Sequence, residues 1–213
     1  MREAIPANLH VVDRPLAHQK LAVLRDENTG TPEFRQATKE LALIMVAEAA
    51  SAMPTNTVRI KTPLAETEVE EISRPVCLVP VLRAGLGMLE AALALLPEAT
   101  VGFMGLQRDE ETAEPVEYYV NLPRDLDEYL VLVLDPMLAT GGSLSATLSK
   151  LKEYGASWIS CLHAVAAVPG VERVTSEYPD VAFYAAALDP ELDENAFIVP
   201  GLGDAGDRLY GTL

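Results

Sequence analysis

The stretch from Tyr129 to Thr147, YLVLVLDPMLATGGSLSAT, most constrains what this chain can fold into. Leu130 to Leu134 is an unbroken apolar run, short and rich in valine, so it reads as a strand buried on both faces. The run stops at Asp135-Pro136, and Thr140, Gly141, Gly142 and Ser143 lead into a helical pattern of Leu144, Thr147, Leu148 and Leu151. In an α/β sheet such a strand-to-helix turn lies at the carboxyl edge, where it aims backbone N–H groups and the positive end of a helix dipole at one spot. A phosphate suits that spot. Gly141 and Gly142, with no Cβ, let the backbone approach an anion closely, while Thr140 and Ser143 add hydroxyl donors. Asp135 would repel a phosphate, so it is expected to face another part of the ligand. Sugar hydroxyls donate to a carboxylate, which makes a phosphorylated sugar the expected ligand. The stretch is neither a Walker loop nor a GxGxxG turn.

The same grammar occurs upstream. Residues 75–82, PVCLVPVL, read as a second buried strand, followed by Arg83-Ala84-Gly85-Leu86-Gly87 and a helix over 88–96. With both strands parallel, Arg83 shares the sheet edge with Asp135, and its guanidinium fork suits a phosphate. Residues 101–106 predict a third strand. The polar run 107–115 and the strand-like 116–122 then predict a long hairpin or flap, with Arg108 placed to fold over a ligand and the acids of the run facing solvent. Strands are expected at 157–168 and 181–188, with a helix at 170–178 between them. Ahead of all this lie a short strand at 8–12, a helix at 14–24 and a long helix at 32–52 with Thr31 as N-cap. A strand at 58–60 and a charged loop or edge at 66–71 follow. The alternation predicts an α/β fold, a mainly parallel twisted sheet flanked by helices, in a single domain spanning 1–213.

Charge narrows the function. The 213 residues carry a formal charge of −16, which argues against nonspecific nucleic-acid binding and leaves an anionic ligand to a few focused arginines and backbone amides. No apolar run is long enough to span a membrane, and the N-terminal residues lack the layout of an export signal, so a cytoplasmic protein is expected. Cys77 and Cys161 each sit in an apolar strand-like run and read as reduced core thiols. His10 and His18 have no partner at catalytic or metal-ligand spacing, and His163 reads as a hydrogen-bonded strand residue and not a base.

Residues 197–212, FIVPGLGDAGDRLYGT, hold four glycines and a proline and predict an irregular segment. Its apolar start disfavours an idle tail and favours a loop whose backbone faces a ligand. Backbone N–H and C=O groups read a planar base well.

VLDPMLATGGS, VPVLRAGLGM, FIVPGLGDAGDRLYGT, LRDENTGTPEFR and QRDEETAEPVEYY together resemble the uracil phosphoribosyltransferase family, in order and spacing and over nearly the whole chain. The resemblance implies the type I phosphoribosyltransferase fold with a β-hairpin flap and a C-terminal base-binding loop. It implies conversion of uracil and 5-phospho-α-D-ribose 1-diphosphate (PRPP) to UMP and diphosphate in pyrimidine salvage, with Mg²⁺. Carried over by position, it puts PRPP on Asp135, Pro136, Met137, Leu138, Ala139, Thr140, Gly141, Gly142 and Ser143, with Asp135 on the ribose hydroxyls. Arg83 and Arg108 take the diphosphate, so that these two and Asp135 form the catalytic set. Ile198, Gly203, Asp204 and Ala205 read uracil, and Asp204 also approaches the diphosphate or its metal, which is held mainly through substrate. Related phosphoribosyltransferases keep a second acid where Pro136 stands. The resemblance further implies a homodimer or higher homo-oligomer and, in some members, GTP as an effector. A regulator that binds RNA on this fold, and a transferase for another base, are the rival expectations.

Overall fold

The computed structural model describes residues 6–108 and 115–212, with side chains except at 106–108 and 115–118. In chain order the elements are β1 (Leu9–Val11), α1 (Pro15–Arg25), α2 (Thr31–Ala50), β2 (Thr55–Lys61), β3 (Glu66–Ile72), β4 (Val76–Pro80), α3 (Leu86–Leu95), β5 (Thr100–Val101), β6 (Phe103–Arg108) and β7 (Pro115–Asn121). There follow β8 (Leu130–Leu134), β9 (Met137–Leu138), α4 (Gly142–Glu153), β10 (Trp158–Ala167), α5 (Val168–Glu177), β11 (Ala182–Asp189), β12 (Glu191–Leu192), β13 (Ile198–Val199) and α6 (Ala205–Tyr210).

The central sheet runs β1-β11-β10-β8-β4-β5 with every pairing parallel, and β9 continues beside β10. β4 and β8 are buried at every position, as their continuous apolar runs require. One core packs α1, α2 and α3 on one face, through Leu24, Phe34, Leu41, Met45 and Met88. The other packs α4 and α5 on the opposite face, through Leu144, Leu148, Val171 and Val174. The helices that follow the neighbouring strands β4 and β8 therefore leave to opposite faces. The crevice they open at the strand carboxyl ends is the switch point where α/β sheets bind ligands.

Four local expectations need correction. Thr31 is the first residue of α2, not its cap: Gly30 occupies that position without a side-chain bond. Of the two alternatives for residues 66–71, a charged loop or edge, the loop falls: they are an exposed edge strand, β3, paired antiparallel with β2 over its full length. The strand expected over 101–106 is divided: β5 joins the central sheet, while β6 pairs antiparallel with β7 as a separate hairpin. The 197–212 segment contains the short helix α6, whose start is fixed by Asp204 Oδ1 accepting the Asp207 N–H at 2.9 Å. Cys77 and Cys161 are free and buried. Among the described residues no helix is long and apolar enough to cross a membrane.

Candidate active site

The loop after β4 is bonded to the end of β8 at the crevice. The Val81 N–H donates to the Leu134 carbonyl and the Gly85 N–H to the Val81 carbonyl, each at 2.9 Å. A Cβ on Gly85 would lie 2.2 Å from the Leu134 carbonyl oxygen, so only glycine permits this approach. Arg83 stands on this loop, more than half exposed, and its peptide with Leu82 is cis. Nη2 of Arg83 donates to Asp207 Oδ1 at 3.1 Å, and the Tyr210 hydroxyl donates to the Arg83 carbonyl at 3.2 Å. Helix α6 thus closes one side of the crevice.

Beyond β8 the chain does not leave the sheet at once. Leu134 pairs with Leu162, and after Asp135-Pro136 the register resumes unchanged with Met137 opposite Val165. The turn proper therefore spans Ala139 to Gly141, where Gly141 adopts φ 78° and starts α4. Its left-handed backbone is a glycine conformation. The Asp135 carboxyl is buried behind this turn, and loss of hydration pushes it up to about 7, opposed in part by the Met137 N–H at 3.4 Å from Oδ1.

Two adjoining cavities share Asp135, Met137, Ala139, Ser143 and Ala196. One, about 250 Å³, is bounded by the 138–144 turn and Asn195. The other, about 360 Å³, is bounded by Arg83, Phe197, Ile198, Gly203, Asp204, Ala205 and Gly206. Most of the residues singled out from sequence are brought together here. Pro136 borders neither cavity: it is buried, and its carbonyl accepts the Val165 N–H at 3.1 Å. The Arg108 backbone ends β6, and its side chain lies outside the described residues. A larger cavity of about 540 Å³, lined by Ile72, Ser73, Arg74, Leu95, Leu96, Pro97 and Glu98, lies by the start of β4, at the other end of the strand from this crevice.

Sequence reasoning passed over several groups at this site. Phe197, 43 % exposed, offers a ring to the larger lobe. Asp207 pairs with Arg83, and Arg173 on α5 comes within 3.8 Å of the position a Cβ on Gly142 would take. Neither belongs to a strand-end turn, so only the folded arrangement reveals them. The larger lobe is also anchored from a distance. Arg25 at the end of α1 makes a forked bond to Asp189 at 2.7 and 2.8 Å and reaches the Gly201 carbonyl at 2.8 Å, while the Gly201 N–H donates to Asp189 at 2.8 Å.

A family model described as uracil phosphoribosyltransferase matches residues 11–212. The chain belongs to the uracil phosphoribosyltransferase family. The uracil phosphoribosyltransferase of Symbiobacterium thermophilum is 50 % identical over 203 residues, covering 95 % of this chain and 97 % of the relative. That of Thermoanaerobacter sp. strain X514 is 47 % identical over 206 residues, covering 96 % and 98 %. A solved protein from Aquifex aeolicus superposes with a TM-score of 0.88 at 35 % identity, covering 95 % of this chain and 97 % of that one. A hypoxanthine phosphoribosyltransferase from Staphylococcus aureus shares the fold alone, at 11 % identity and a TM-score of 0.50 over 79 % of this chain and 85 % of that one.

Proposed function

We infer that the protein transfers the phosphoribosyl group of PRPP to uracil, releasing UMP and diphosphate. The observation that carries this reading is the position of Asp135 at the junction of two lobes, one walled by a phosphate-type turn and the other by Ile198 and the 203–205 backbone. A ribose at the junction places its hydroxyls on Asp135, its 5-phosphate among Thr140, Gly141, Gly142 and Ser143, and its anomeric carbon toward the base lobe. Arg83, at the mouth between them, meets the leaving diphosphate; Arg108 joins it from the hairpin.

Departure of diphosphate from the anomeric carbon builds positive charge on the sugar and negative charge on the leaving group. Arg83 stabilises the second electrostatically, with no covalent nucleophile. The base lobe holds the uracil ring nitrogen toward the sugar, with Phe197 available to stack on the ring and backbone groups near Ile198 and Gly203 to read its carbonyls and N–H. That pattern selects uracil over cytosine, whose exocyclic amine donates where uracil accepts.

Mg²⁺ is a hard cation that favours diphosphate oxygens together with one or two carboxylates. Asp204, on the wall of the lobe that holds Arg83, fits that donor set, and the ion would neutralise the departing charge. The family reading also brings a homo-oligomer, GTP as an effector in some members and a cytoplasmic setting.

The test is UMP formation from uracil and PRPP by the purified protein, with and without Mg²⁺. Arg83→Ala and Asp135→Asn are each expected to lower kcat/KM by about 100-fold while remaining folded. Absence of UMP, efficient use of cytosine, or near-normal rates in both folded variants would overturn the assignment.

A further inference from the structure

We propose that His163 is a positioning residue for Asp135: a neutral imidazole, protonated on Nδ1, holds the main-chain carbonyl of the acid and thereby sets where its carboxyl and the following turn point. The proposal rests on the role given to Asp135 above. His163 lies on β10 with no solvent exposure, and its Nδ1 is 2.6 Å from the Asp135 carbonyl oxygen. A carbonyl only accepts, so Nδ1 carries the hydrogen and, in the neutral ring, Nε2 does not. Nε2 is buried without a hydrogen-bond partner among the described residues. A second N–H there would be stranded in an apolar environment, and burial accordingly pushes the imidazole down to about 4.

The carbonyl needs this donor because of the break in the ladder. The Asp135 N–H donates to the Leu162 carbonyl at 3.1 Å, and the next bond runs from the Val165 N–H to the Pro136 carbonyl at 3.1 Å. A regular parallel strand uses the N–H and C=O of the same residue on one neighbour, whereas here β10 takes the N–H of residue 135 and the C=O of residue 136. The Asp135 carbonyl is skipped. The imidazole restores the missing bond from a side chain, and the register recovers at β9. Without it the buried carbonyl loses its partner, and the peptide leading into Pro136 loses the bond that fixes its tilt, which displaces both the carboxyl and the 139–143 turn. Cys161, two residues earlier on β10, is pushed up by burial first and by the Asp135 carboxylate second, and the pairing of Leu134 with Leu162 puts residues 161, 163 and 135 on one face of the sheet.

Four variants test this: His163→Leu, His163→Asn, Asp135→Asn and the double His163→Leu/Asp135→Asn. His163→Leu is expected to lower kcat/KM for PRPP by about 10- to 100-fold, with KM for uracil within about twofold of wild type. His163→Asn keeps a donor at the Nδ1 position and is expected within about threefold of wild type. The double variant should be no worse than Asp135→Asn alone, since the imidazole acts through the acid. Imidazole ¹⁵N spectra of the ligand-free protein at pH 7 should show Nδ1 protonated and Nε2 bare. An Nε2–H tautomer, an imidazolium, additive losses in the double variant, or an Asn variant no better than Leu would overturn the proposal. Should wild type form no UMP, the functional reading fails by itself. The nitrogen spectra, and calorimetric binding of ribose 5-phosphate to His163→Leu against His163→Asn, then still decide the role of His163.

Discussion

Nη2 of Arg83 lies 3.1 Å from Asp207 Oδ1, so the arginine proposed to face the leaving diphosphate is already paired with a carboxylate on the C-terminal helix. The Thr212 hydroxyl and then Arg83 hold the Asp207 carboxyl below the usual carboxylate range. The pair is solvent-exposed, so it contributes little to the fold and is readily exchanged. A diphosphate competes with Asp207 for the same guanidinium fork. Asp207→Asn should therefore tighten inhibition by diphosphate about two- to fivefold at low salt, with the difference shrinking as salt is added. Product-inhibition constants at two ionic strengths check this, and an unchanged constant would show that Asp207 does not compete.

Asp135 makes activity and stability respond oppositely to pH. In the proposed binding mode ribose hydroxyls need the ionised acid as acceptor, so kcat/KM for PRPP should fall as pH drops through about 7, and Asp135→Asn should lose that acid limb. For stability, the folded value lies above the model-compound value of 3.8, so the folded state binds the extra proton between the two. The resulting stabilisation is present below about 4, declines as pH rises toward 7 and is gone above it. At pH 8 the neutral Asp135→Asn variant should unfold at a higher temperature than wild type, by several degrees on the order expected for a chain of this size. Paired melts at pH 5 and pH 8 check the sign.

Legibility in the sequence followed range along the chain. The β8 strand, Asp135 and the glycine turn could be read because apolar run, acid and small residues adjoin, and β4 with Arg83 repeats the pattern. Of the β2–β3 hairpin only the strand at 58–60 could be, because almost every residue on both faces is exposed and nothing in β3 marks its pairing. It is supported by its ladder and by cross-strand pairs such as Arg59 with Glu68 at 3.4 Å. Helix α6 was hidden by its glycines, although Asp204 and Asp207 at capping distance were a signal to be found. The Arg25–Asp189 fork joins α1 to the end of β11, and nothing local to either residue announces the other.

That fork predicts a stability effect remote from the chemistry. Asp189 is 6 % exposed and bonded to both Arg25 and the Gly201 N–H, so Asp189→Ala strands a cation and a backbone donor together. The expected loss is about 3 kcal/mol, lowering the melting temperature by roughly 6–12 °C. Asp189→Asn, which keeps an acceptor for Gly201, should fall between Asp189→Ala and wild type. Because Gly201 leads into the base lobe, KM for uracil should rise more than KM for PRPP in both variants. Equal shifts in the two constants would separate the fork from the base loop.

Ala196 adopts φ 64°, the sole positive φ at a non-glycine among the described residues, and it borders both lobes of the cavity. The turn around it enforces that conformation. Asp193 Oδ1 accepts the N–H groups of Asn195 and Phe197 at 2.9 and 2.8 Å, and the Asp193 N–H donates to the Phe197 carbonyl at 2.8 Å. A left-handed alanine costs about 1–2 kcal/mol, while glycine adds unfolded-state entropy that offsets about half of the relief. Ala196→Gly should therefore raise stability by about 0.5–1 kcal/mol, or roughly 1–4 °C in melting temperature. The same change loosens the turn that presents Phe197 to the base lobe, so KM for uracil should rise by about two- to threefold while KM for PRPP holds. A variant that melts lower than wild type would mean that the turn, not the alanine, sets the backbone energy at this position.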